Sequence, residues 1–194
     1  LKIRDSLLRA CGDLLVEHPI DAITINEIVQ RAGVAKGSFY NHFADKEALA
    51  AAVSDAILTE VRARVKKNHE NVTDPAYRIV RGMCTHMQLA VCDPRRAMIM
   101  IRGHDWASAQ DHQLHDSVSA DVSEGIASGR FAPRCDDVGV LQIIGTGNIS
   151  MIRIVDQRLS VQQVIDLATK AISLILCGFG LEEDEAVRIV SDSA

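Results

Sequence analysis

The sequence predicts an all-α protein. Hydrophobic residues make up 47% of the 194 and aromatics only 4%, so Leu, Ile, Val and Ala must fill the core. The four prolines, at positions 19, 75, 94 and 133, fall where apolar periodicity breaks, as prolines at helix boundaries do. Alternating strand patterns are scarce. The length leaves room for one large or two small domains.

The elements follow in order. Leu7, Leu8, Cys11, Leu14 and Leu15 form the buried stripe of a first helix over about 1–17, and His18-Pro19 stops it. Thr24 caps a second helix, and Glu27 three residues on completes a capping box. Ile25, Ile28, Val29 and Ala32 then fall at i, i+3, i+4 and i+7. Gly33 stands where the chain must leave that helix with positive φ. A third helix buries Val34, Phe39 and Phe43 and turns Lys36, Ser38, Tyr40 and Asn41 outward. A cation, a hydroxyl, a phenol and an amide on one exposed helix suit phosphates and base edges. Two short helices broken at a glycine are the plan of a helix-turn-helix that reads DNA. Its rival reading is a purely structural or protein-binding three-helix unit.

Asp45 opens a long helix to about Asn68 with a charged second half, most simply a solvated face. Asp74-Pro75 and Asp93-Pro94 are caps followed by first-turn prolines, opening helices to about Cys92 and Ile101. A loop over Gly103 to Ala107 leads to a helix over about Ser108 to Ser128. Asp136 starts another long helix to about Arg158. Ser160 and Gln163 box the start of the last one, which ends at Cys177-Gly178. That makes about nine helices, with the acidic tail from Glu182 to Glu185 adding one turn or fraying.

The block Ala32-Gly33-Val34-Ala35-Lys36-Gly37-Ser38-Phe39-Tyr40-Asn41-His42-Phe43, followed by Asp45-Lys46-Glu47-Ala48-Leu49, resembles the TetR family of bacterial transcriptional repressors. The likeness runs from about Leu7 to Leu49; the rest of the chain carries no motif of that specificity. It implies that Lys36, Gly37 and Ser38 begin the recognition helix in the major groove and that Tyr40 contacts phosphate. Asn41 lies on the same surface, and His42 lies against the backbone or packs locally. Thr24 and Lys46 match positions near helix N-termini, where free N–H groups and the helix dipole favour a phosphate. The family also implies a DNA-binding domain over 1–45 and a helical effector-binding and dimerisation domain over 46–194.

One feature departs from a basic DNA-binding patch. Within residues 1–50, Lys2, Arg4, Arg9, Arg31, Lys36 and Lys46 face Asp5, Asp13, Glu17, Asp21, Glu27, Asp45 and Glu47. Affinity is then expected from a few well-placed contacts, or from a basic arm before Leu1. The whole chain carries −5, so generic attraction to nucleic acid is not expected. No apolar run approaches the ~20 residues that cross a bilayer, and the N-terminus has no signal-peptide pattern. Both point to a cytoplasmic protein without membrane contact. Cys11, Cys84, Cys92, Cys135 and Cys177 are odd in number and widely spaced, as free thiols of a reducing compartment are.

The last two long helices carry more apolar surface than one neighbour needs. Val140, Leu141, Ile144, Ile149, Ile152 and Val155 line one; Val161, Val164, Ile165, Ala168, Ile172, Ile175 and Leu176 line the other. Similarity to the family implies that this pair packs on its copy in a homodimer, the symmetry a palindromic operator requires. Met83, His86, Met87, Met98, Ile101, His104, Trp106 and Met151 gather adaptable apolar side chains with a few polar ones. That mixture suits a small hydrophobic effector, although plain core packing accounts for each residue singly. His112 and His115, with His104, Asp105, Asp111 and Asp116, have the spacing of a metal site. Exposed polar residues at helical spacing give the same list, so no metal and no cofactor is expected.

The expectation is therefore a non-enzymatic, ligand-responsive repressor that binds an operator as a homodimer and is released by a small molecule. Two alternatives stand beside it. One is a helical small-molecule-binding or enzymatic domain with a degenerate helix-turn-helix; the other is a metal- or redox-sensing regulator.

Overall fold

The computed structural model describes residues 2–103 and 113–193, and the side chains of all but 113–115 among them. The described residues form ten α-helices and two short 3-10 turns, with no strand. The helices are α1 (Lys2–Glu17), α2 (Ile25–Ala32), α3 (Lys36–Tyr40), α4 (Lys46–Asn68), α5 (Pro75–Cys92), α6 (Pro94–Arg102), α7 (Gln113–Ala127), α8 (Asp137–Asp156), α9 (Val161–Gly178) and α10 (Glu183–Ser193).

Boundaries follow side-chain chemistry closely. The Asp45 carboxylate accepts from the Ala48 N–H at 2.7 Å, and Asp93 accepts from the Arg96 N–H at 3.0 Å. Ser160 and Gln163 form the capping box of α9. Pro75 and Pro94 are the first residues of α5 and α6, where a missing N–H costs no helical bond.

The chain divides into two compact units, Leu1–Glu60 with Asp93–Ala109 and Val61–Cys92 with Gln110–Ala194. This division differs from the expected boundary after residue 45. The first half of α4 stays with the N-terminal helices, and α6 returns to pack on α1. In the first unit Leu7, Leu15, Ile28, Phe39, Leu49 and Leu58 are fully buried. Ser54, also buried, satisfies its hydroxyl on the Ala50 and Ile99 carbonyls at 3.0 and 3.2 Å.

In the second unit α5 is the central helix, with α7, α8, α9 and α10 packed on it. Gly125 on α7 marks a close approach: a Cβ there would lie 2.0 Å from the Phe131 ring, itself 3% exposed and edge-on to Phe179.

Two expectations need correction. The acidic tail is a full helix, α10, because Ala186, Ile189 and Val190 bury a stripe on α5 and α9. Glu183, Asp184 and Glu185 sit in its first turn, where the helix dipole favours carboxylates. The helix count is thus ten. Secondly, α8 and α9 are long and apolar enough to cross a membrane by length and composition, with mean hydropathy of 1.5 and 1.3 over 18 residues. Charged residues such as Arg153, Asp166 and Lys170 interrupt the runs, which hid this in the sequence. Leu141 and Ile149 on α8 are 64% and 66% exposed.

Candidate nucleic-acid interface and effector cavity

The N-terminal site is built from α2, the turn at Gly33 and α3. The Thr24 hydroxyl accepts from the Glu27 N–H at 3.2 Å, and the Glu27 carboxylate takes both the Thr24 N–H and its O–H at 2.7 Å. These bonds, led by the Thr24 hydroxyl, hold the Glu27 carboxyl below its ordinary value. Gly33 adopts φ 67°, ψ 34°, the left-handed region, and closes α2 with its N–H on the Gln30 and Val29 carbonyls. Phe39 is fully buried and Phe43 is 8% exposed; the two rings stand 6.2 Å apart, with the Arg4 guanidinium over Phe43. This apolar anchor fixes how α3 lies on the module.

The opposite surface is open. Tyr40 is 54% exposed, Lys36, Gly37, Asn41 and His42 are exposed, and Ser38 is half-buried. Among the described residues the side chains of Lys36, Tyr40 and Asn41 have no hydrogen bond or ion pair. Nothing lies within 4 Å of a Cβ placed on Gly37.

Two members of the expected set have other work. Lys46 donates its ammonium to the Ile20, Asp21 and Ile23 carbonyls at 2.9, 3.2 and 2.9 Å, tying the start of α4 to the turn before α2. The Thr24 donors are consumed by Glu27. Both residues shape the module, and their side chains offer a phosphate little.

The expected effector residues do not stay together. Met98 and Ile101, 2% and 7% exposed, belong to the core of the first unit. Their type matches a pocket, but α6 buries them with α1. Met151 is fully buried on α8, and Met87 borders an apolar groove along α5, α9 and α10. His104 and Trp106 lie outside the described residues, as do Asp105, Asp111 and His112. Among the described residues no group of three His, Cys, Asp or Glu side chains could hold a metal. Burial pushes the Cys11 thiol up to about 12, which keeps it protonated and unreactive.

Met83 and His86 do meet, in a cavity of about 60 Å³ within the second unit. Val65, Ile79, Val118, Ile143 and Ile144 supply its apolar walls, while His69, Arg78, Asp121 and Asn148 add polar groups that the sequence did not single out. Arg78 gives its Nε–H to Asp121 at 2.6 Å and an Nη2–H to Glu124 at 2.5 Å, and its Nη1 serves the Val72 and Thr73 carbonyls. Burial pushes the Asp121 carboxyl up, and the bond from Arg78 opposes this.

Burial holds both histidines below the ordinary imidazole value of 6.5. His86 fixes the sign of a pH effect. Below about pH 6.5 the unfolded chain takes a proton that the folded His86 refuses, so stability falls with acidification. The slope approaches about 1.4 kcal/mol per pH unit for this group. Asp121, whose carboxyl burial raises from the ordinary value of 3.8, contributes with the opposite sign, its share being lost as pH rises above that value. Urea midpoints should therefore drop from pH 7.5 to pH 5.5, and His86→Leu should flatten part of that drop; an unchanged midpoint would place His86 in water.

The first unit thus holds a helix-turn-helix with an exposed α3 surface, and the second holds a small cavity. Residues 7–53 match the family model for bacterial regulatory proteins of the tetR family. The chain is 34% identical over 62 residues to the HTH-type transcriptional regulator YvdT of Bacillus subtilis, a match spanning about a third of either chain (32% of each). It is 24% identical over 144 residues to the HTH-type transcriptional repressor KstR2 of Mycolicibacterium smegmatis, 69% of each. The structure of RolR with resorcinol shares the fold, with a TM-score of 0.64 and 20% identity over 97% of this chain and 93% of that one. Residues 7–53 are thus similar to the DNA-binding region of bacterial tetR-family regulators, and KstR2 extends the similarity over 69% of the chain.

Proposed function

We propose that the protein is a transcriptional repressor that binds a palindromic operator as a homodimer and lets go when a small molecule enters the second unit. The observation that carries DNA reading is the α3 surface. Lys36, Gly37, Tyr40 and Asn41 stand exposed beyond a left-handed glycine, and among the described residues no hydrogen bond or ion pair occupies the side chains of Lys36, Tyr40 and Asn41. DNA reading falls to residues 1–45, effector binding and dimerisation to 46–194. No membrane, cofactor or metal enters this reading, and it places the protein in the cytoplasm.

The dimer is supported by the apolar surface that α8 and α9 leave uncovered. Val138, Leu141 and Ile149 on α8 are 63–66% exposed; Val161, Ile165 and Leu174 on α9 are 64, 42 and 71% exposed. Such surface on a monomer marks an interaction site. A copy of the same pair buries it and supplies the two-fold axis that places recognition helices on half-sites ~34 Å apart.

The cavity at Met83 and His86 supports release by a ligand. An effector that binds one conformation better than the other shifts the population by that difference in affinity and no more. That RolR was solved with resorcinol shows a relative of this fold holding a small ligand; for this chain it lends support to the same arrangement.

Gel shifts on the DNA upstream of the protein's own gene test the reading. Tyr40→Phe should weaken binding by about 1 kcal/mol, the value of one hydrogen bond. Lys36→Ala should weaken it more, and should relax sequence preference if Lys36 reaches a base. Unchanged affinity in both variants would remove α3 from the mechanism.

A further inference from the structure

The hydrogen-bonding atoms inside the cavity specify a chemical class of ligand, an inference that rests on reading this cavity as the effector site. The His86 Nδ1 lies 2.8 Å from the Gly82 carbonyl, one turn back on α5. A carbonyl only accepts, so Nδ1 carries the proton and Nε2 presents a bare lone pair. That Nε2 is enclosed and, among the described residues, has no partner. His69 also lines the cavity. The His69 Nε2 is also enclosed without a partner, and it lies 3.9 Å from a Cβ placed on Gly82. Gly82 thus lies beside both rings, and the bare Nε2 of His86 borders a cavity with largely apolar walls.

The remaining polar groups narrow the class further. Among the described residues lining the cavity, Arg78 alone bears a fixed positive charge. Asp121, Glu124 and two backbone carbonyls occupy it. A carboxylate ligand would meet Asp121 and the bare Nε2 of His86 with no cation available. An ammonium would have to shed its water among Val65, Ile79, Ile143 and Ile144. A neutral hydroxyl satisfies His86 with its one proton at no such cost, and its oxygen can still accept from the Asn148 amide.

We propose that this cavity takes a small neutral hydroxyl compound, a phenol or compact alcohol, which donates its hydroxyl proton to Nε2 of His86. At about 60 Å³ the cavity admits a single ring only as its Met and Ile walls shift.

Titration calorimetry with phenol, resorcinol and cyclohexanol, against anisole, 1,3-dimethoxybenzene, benzoate and benzylamine, tests this. The hydroxyl compounds should bind about tenfold more tightly than their methyl ethers, the loss expected for leaving a buried acceptor unpaired. In His86→Leu that preference should vanish. Should this variant fail to fold, imidazole 15N spectra of the unaltered protein decide. They should show Nε2 of His86 without a proton, moving on addition of phenol and not of anisole. Equal binding of the ethers, tighter binding of benzoate or benzylamine, no binding of any hydroxyl compound at millimolar concentration, or a proton on Nε2 would each overturn the assignment. Ethers or benzoate that bind and release DNA would overturn it while leaving the effector reading intact. Hydroxyl binding that leaves DNA affinity unchanged would uphold it and remove the effector reading instead.

Discussion

Replacing Arg78 with Leu lowers the thermal midpoint by roughly 10 °C, the largest single stability loss expected from this chain. Arg78 and Asp121 are both mostly buried, with side-chain exposures of 12% and 13%, and they share a 2.6 Å charge-assisted bond. The pair itself adds little net stability, because desolvating two charges offsets most of their attraction. Removing one partner is different. Asp121 is left as an uncompensated carboxylate against the apolar wall of α5, and the Val72 and Thr73 carbonyls lose their donors. Breaking such a pair costs about 3–5 kcal/mol. Replacing both charges, as Arg78→Leu with Asp121→Leu, should recover much of the loss. If Arg78→Leu unfolds within a degree of the unaltered protein, the pair is solvated and the account of this cavity fails.

The second large effect concerns assembly. Leu174→Arg should leave each subunit folded, since that side chain is 71% exposed and contributes little to its own core. Placed at the proposed interface, however, two arginines would face one another across the two-fold axis with no apolar cover. Light scattering should report a monomer, and operator affinity should fall by at least about a hundredfold, as the second half-site loses its tethered partner. Gln162→Arg, on an exposed polar position of the same helix, is the control and should change neither quantity. A dimer that survives Leu174→Arg with full DNA affinity would move the interface elsewhere.

What the sequence disclosed, it disclosed locally. Capping boxes at Thr24/Glu27 and Ser160/Gln163, the caps at Asp45 and Asp93, and the left-handed Gly33 each involve residues within a few positions of one another. Short-range chemistry made them legible. The α10 stripe of Ala186, Ile189 and Val190 was equally local, but the acidic run before it resembled a solvated tail. The cavity was another matter. His69 follows α4, Arg78 and His86 stand on α5, Asp121 on α7 and Asn148 on α8, so only the packing of four separate segments brings them together. Met98 and Ile101 misled for the complementary reason: a buried Met on α6 and a buried Met on α5 read alike until the helices are assigned to different units. In the DNA module, residue type located the open α3 surface correctly. It did not show that Lys46 is spent on three carbonyls, which requires knowing where the turn at Ile20–Ala22 lies.

Hydroxyl-radical footprinting on the DNA upstream of the protein's own gene tests the central claim most directly. The account predicts two protected patches related by a dyad, with centres about one helical turn apart, ~10 base pairs, or a multiple of that. Both patches should disappear together in Lys36→Ala at concentrations where the unaltered protein saturates the site. A footprint unchanged by Lys36→Ala and Tyr40→Phe, or protection with no dyad symmetry, would contradict it.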